Sequence, residues 1–106
     1  MRRYEMMVIL TDELDEDGAN GLIDRFRSAI ADNGGSVVDE IFWGKRKFTY
    51  EIDHRWYGWY HVFDVEATDE GLSEVERLMR INDNVVRFKT IRPELHVHRT
   101  KTKQPA

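Results

Sequence analysis

The side chains that could do chemistry fall into three groups: four histidines, twenty carboxylates, and cations interleaved with aromatic rings. His96 and His98 stand two apart, so an extended chain projects them to one side and makes half of a metal site. No third ligand lies nearby in sequence. With no cysteine anywhere, thiolate zinc sites and disulfide frameworks are excluded. The carboxylates gather at Asp12, Glu13, Asp15, Glu16 and Asp17 and again at Asp69-Glu70, where helices would start, and solvated capping explains them there. No nucleophile elbow occurs, and Gly34-Gly35 is a bare pair without the lysine of a phosphate loop. The sequence thus implies no enzyme, no cofactor, no metal and no small-molecule substrate.

The cations say more. The chain carries a net charge of -4, yet its bases are bunched: Arg2-Arg3, Lys45-Arg46-Lys47, and Arg87, Lys89, Arg92, Arg99, Lys101 and Lys103. Between Arg87 and Lys103 only Glu94 is acidic. A polyanion responds to local potential, so an acidic protein can still offer it a basic face. Such groups hold phosphates and position RNA without reading its sequence. The run Trp56-Tyr57-Gly58-Trp59-Tyr60 adds rings that could stack on bases if exposed. Trp59 and Phe63 are expected under the helices, and Tyr60 outside.

These residues need elements to hold them. Tyr4, Met6, Val8 and Leu10 alternate with Arg3, Glu5, Met7 and Ile9, the period of a strand with one face in the core. Asp15 is the expected cap of a helix whose buried face is Leu22, Ile23, Phe26, Ala29 and Ile30. Asn33-Gly34-Gly35 stops it. Residues 37–52 read as one long strand with a bulge at Gly44, followed by a polar turn at Asp53-His54-Arg55 and a third strand opening at Gly58. Its core side should carry Trp59, His61, Phe63 and Val65, with His61 neutral and hydrogen-bonded near a strand end. Thr68 starts a second helix with Leu72, Val75, Leu78 and Met79 inward. Residues 85–92 form a fourth strand, with Val86 and Phe88 toward the core, closed by Pro93.

The order β-α-β-β-α-β predicts an α+β, ferredoxin-like fold. Its four-stranded antiparallel sheet has order 4-1-3-2, with both helices on one face and the other face free for a partner. Strand parity then places Arg3, Arg87 and Lys89 on the open face, with Arg2 and Arg92 at its margin. The 106 residues suit one domain, 1–93, followed by a flexible basic tail, 94–106. No basic start leads into an apolar stretch and nothing approaches a membrane span, so a cytoplasmic, membrane-free protein is expected.

Three stretches carry a resemblance: Met1-Arg2-Arg3-Tyr4-Glu5, the run from Trp43-Gly44-Lys45-Arg46-Lys47 to Phe48-Thr49-Tyr50-Glu51-Ile52, and Arg80-Ile81-Asn82-Asp83-Asn84-Val85-Val86-Arg87. Together they resemble the bacterial small-subunit ribosomal protein six family over roughly residues 1–93. The resemblance implies a non-enzymatic ribosomal component. It would bind the central domain of small-subunit ribosomal RNA together with ribosomal protein eighteen. It also implies contacts by Arg2, Tyr4, Lys45, Arg46, Lys47 and Arg87, to which strand parity adds Arg3, Lys89 and Arg92. The chain departs from the family at Thr49-Tyr50-Glu51-Ile52, in its tryptophan-rich Arg55-to-Tyr60 segment, and in its basic tail. The alternative on the same fold is a regulatory domain that binds a small effector. It would need a glycine-containing loop after strand one, where this chain is acidic.

Overall fold

Alternation, capping and glycine placement produce six elements in a computed structural model that describes residues 1–52 and 54–92. They are β1 (Arg2–Thr11), α1 (Glu16–Asp32), β2 (Ser36–Ile52), β3 (Arg55–Ala67), α2 (Asp69–Arg80) and β4 (Val85–Ile91). The strands pair antiparallel in the order β2-β3-β1-β4, the expected order read from its other edge. Asp15 caps α1 by accepting from Gly18 N at 2.7 Å, and Thr68 caps α2 by accepting from Gly71 N at 3.0 Å. Each such cap contributes about 1 kcal/mol. The expected tail, 94–106, lies outside the described residues.

The main core fills the space between sheet and helices. Met6, Val8 and Leu10 of β1 and Phe63 and Val65 of β3 meet Leu22, Ile23, Phe26 and Ile30 of α1 and Leu72, Val75 and Met79 of α2. Met6, Val8, Leu10, Phe63, Val65 and Met79 are fully buried. Trp59 joins them, and its Nε1 donates to Leu14 O at 2.9 Å, pinning the β1–α1 loop.

The opposite face is not wholly free, as strand parity alone had suggested. Ile9, Phe48 and Ile52 form a second buried cluster there, packed against Tyr60 and Val86. The cause is the length of the β2–β3 hairpin. Its last β1 pair is Thr11 opposite Gly58, so residues 55–57 run on beside β2 alone. Strand three therefore starts at Arg55, three residues before the expected opening at Gly58. Gly58 instead makes room: a Cβ there would stand 2.8 Å from Phe48 Cζ and 2.7 Å from Ile9 Cγ2. The missing side chain lets the Phe48 ring lie against β3.

One bulge falls where expected and another makes a further difference. Gly44, at φ +84, sits at the expected bulge in β2 between Phe42 and Gly44. A second register shift lies between Ile9 and Leu10 on the β4 side. It turns Val86 onto the open-face cluster, while Val85 and Phe88 pack on the main core. The expectation that Val86 faces the helices fails because a bulge advances the two-residue period by one.

Candidate nucleic-acid interface

Residues directly opposite in an antiparallel ladder share a face, so the register lays out the open face in cross-strand rows. One end is acidic: Glu5 pairs with Asp64, which pairs with Asp39, and Arg3 pairs with Glu66. The next row is apolar, Met7 with Val62 and Ile41. Beyond it Ile9 pairs with Tyr60, and Trp43 stacks on the Tyr60 ring with centroids 5.8 Å apart and planes 12° apart. Phe48 meets Tyr60 edge-on at 6.1 Å. Potential and polarity therefore change along the strands, from carboxylates to rings.

The cations follow this gradient. Arg87 lies opposite Ile9 and Lys89 opposite Met7, both exposed on the β4 side. Arg3 shares their face but not their neighbourhood. It sits six residues from Ile9 along β1, roughly 20 Å away, beside Glu66. The expected convergence of Arg3 with Arg87 is thus replaced by two separate positions. Arg46 lies opposite Gly58 and donates from Nε to Trp43 O at 3.0 Å. Lys45 and Lys47 lie opposite Trp59 and Tyr57, and so on the face that carries the helices, not on the open one. Lys45 Nζ stands 5.8 Å from the Trp59 ring centroid and 5.9 Å from that of Tyr57, and Lys47 Nζ 6.0 Å from that of Trp56.

Tyr4 differs from the other eight candidates. Its ring belongs to the main core, and its hydroxyl donates to Asp69 Oδ1 at 2.5 Å. That bond ties β1 to the first turn of α2 and holds the phenol above its usual pKa; burial adds to the rise, and the charges of Arg2 and Arg92 oppose it. Even-numbered residues of β1 face the helices, so the Tyr4 ring packs in the core while its hydroxyl positions the start of α2. Arg2 and Arg92 flank it at the margin of the sheet.

A half-buried polar junction, with only its histidine fully covered, has no local signature in the sequence. Glu40 of β2 accepts from Arg27 of α1 at 2.9 and 2.8 Å, and its Oε1 lies 2.8 Å from His61 Nε2 of β3. Arg27 also pairs with Asp24. The Arg27 guanidinium, and secondarily His61, hold the Glu40 carboxyl below its usual range. Burial pushes the His61 imidazole down, partly offset by Glu40. His61 is only 3% exposed and sits mid-strand, where an end position was expected, between the Phe63 and Phe42 rings. Its Nδ1 has no partner among the described residues. The one sequence signal was a lone histidine on an apolar strand face.

The loop after β1, where a small effector would sit, is closed. Arg55 donates to Asp12 Oδ1 at 3.2 Å and Glu13 Oε2 at 3.1 Å, and Glu13 N donates to Thr11 Oγ1. No group of three or more His, Asp or Glu among the described residues is placed to hold a metal.

Comparison with known proteins agrees with this geometry. The family model described as Ribosomal protein S6 matches residues 3–92. The small ribosomal subunit protein bS6 of Streptomyces coelicolor is 42% identical over 96 residues, 91% of this chain and 100% of its own. That of Salinispora arenicola is 43% identical over 95 residues, 90% of this chain and 99% of its own. The crystal structure of 30S ribosomal protein S6 from Thermotoga maritima superposes with a TM-score of 0.84 at 28% identity, covering 92% of each chain.

Proposed function

The chain belongs to the ribosomal protein S6 family, and from that premise we propose that it binds the central domain of small-subunit ribosomal RNA together with ribosomal protein eighteen. It is a structural, non-enzymatic protein of the bacterial small ribosomal subunit and works in the cytoplasm. The observation that carries the reading is the extent of the family match, from the second residue of β1 to the residue after β4.

The surface supplies two kinds of contact. Arg2, Arg87, Lys89 and Arg92 at the β1–β4 margin, and Lys45, Arg46 and Lys47 on the hairpin, hold phosphates. Met7, Val62 and Ile41 give the open face an apolar row that a protein partner covers. A net charge of -4 makes a small basic protein the better partner and leaves this chain a weak RNA binder alone. Gel-shift titration of small-subunit ribosomal RNA, with and without the basic partner, tests the pairing. Tighter binding with the partner is expected; equal affinity in both conditions overturns it. Sedimentation of ribosomal particles at high salt tests the assignment itself, and a chain that stays in the supernatant refutes it.

A further inference from the structure

The tip of the β2–β3 hairpin adds exposed rings, which the family reading does not use, to the cations that it does. It projects past β1 as a two-stranded ribbon. Tyr50, Trp56 and Tyr57 are 63%, 46% and 43% exposed there, although rings of this size are ordinarily packed away. Lys45 and Lys47 approach the Tyr57 and Trp56 rings, and Arg46 lies between them in sequence. The ribbon is also anchored. Arg55 spans to Asp12 and Glu13, and Phe48 and Ile52 are buried at its base. Held rings beside cations, clear of the Glu5–Asp64–Asp39 row, suit a polyanion that carries flat faces of its own.

We propose that this ribbon stacks unpaired RNA bases on both of its faces, Tyr57 receiving a base on one beside Lys45 and Lys47 and Trp56 on the other beside Arg46, with the cations holding the phosphates. The occupant is single-stranded because paired bases are stacked already, and the deep groove of an RNA duplex does not admit side chains to its bases. Stacking on a ring tolerates any base, so the platform fixes a loop or bulge in place without reading it. Duplex phosphates fall instead to Arg87 and Lys89 on the opposite side of the sheet. The inference rests on the ribosomal reading and names the site and RNA class within it.

Fluorescence anisotropy on the full chain provides the test, with a short oligoadenylate, an RNA duplex of the same length and small-subunit ribosomal RNA as probes. Trp56→Ala/Tyr57→Ala should weaken oligoadenylate binding by about tenfold or more and leave duplex binding unchanged. Trp56→Phe/Tyr57→Phe should restore most of the loss, and unchanged circular dichroism and melting temperature of the alanine variant separate lost stacking from lost folding. If the alanine variant binds oligoadenylate and ribosomal RNA as the parent does, the platform is overturned and the ribosomal reading stands. If that variant instead loses only the protein partner, the rings belong to a protein contact and the inference fails. A parent chain that binds none of the three RNAs, with or without the partner, refutes both.

Discussion

Apolar side chains cluster on both faces of this sheet, and the two clusters differ in what covers them. Two helices roof the larger one, and its Phe63 has no exposed surface. The smaller one, Ile9, Phe48 and Ile52, has no helix above it among the described residues, only the flanks of Tyr60 and Val86. A roofed cluster is committed to stability. A cluster at the base of a projecting ribbon also stiffens that ribbon, and so holds exposed rings and cations still enough to be used for binding.

Substitutions can break or sharpen this contrast. Phe63→Ala should cost about 3–5 kcal/mol in denaturant unfolding, the range for emptying a fully buried aromatic site. Phe48→Ala should cost less, about 2 kcal/mol, because a rim site collapses more readily. Hydrogen exchange should then show the loss of protection confined to the hairpin. Equal costs with global loss of protection would mean that both clusters belong to one cooperative core, and the contrast would fall.

Next in size is Glu40→Gln, at about 1–2 kcal/mol, since it weakens the bonds that join α1, β2 and β3. The junction also sets a pH dependence. His61 is depressed when folded, so the unfolded chain binds the proton more readily. Stability should therefore fall as pH drops below the ordinary 6.5 of histidine. Glu40 is depressed as well, which extends the fall below 4.5. The Gln variant should keep the first loss and lack the second; unfolding curves at stepped pH would show both, and a flat parent profile refutes the assignment. Smallest is Arg87→Glu, within about 0.5 kcal/mol of the parent because the side chain is exposed. It should nonetheless weaken assembly into the small subunit, measured by sedimentation. A large drop in melting temperature would make Arg87 structural.

The sequence yielded the elements, their order and both helix caps, since these depend on spacing within a few residues. It misjudged Val86, because a bulge between Ile9 and Leu10 appears only when β1 meets β4. Strand three was begun too late at Gly58: a glycine reads as a break, whereas here it admits the Phe48 ring. The site was legible as residue types and less so as a place. Arg3 and Arg87 share a face by parity, but register alone sets the distance between them. The junction of Arg27, Glu40 and His61 lies on three elements, and no local pattern joins them. Tyr4 was the one candidate whose parity already placed it under the helices.

The strand order β2-β3-β1-β4 also governs the timing of folding during synthesis. The first strand to leave the exit tunnel is an inner one, and its neighbours are encoded later. Thr11 is made before any of β3, and Ile91, the partner of Glu5, comes 80 residues after it. At ribosomal elongation rates that interval is roughly 4–16 s. Met6, Val8 and Leu10, destined to be fully buried, spend those seconds without a complete sheet. β3 supplies the first neighbour of β1 once Ala67 has been made, and the four-stranded sheet is complete only when β4 follows.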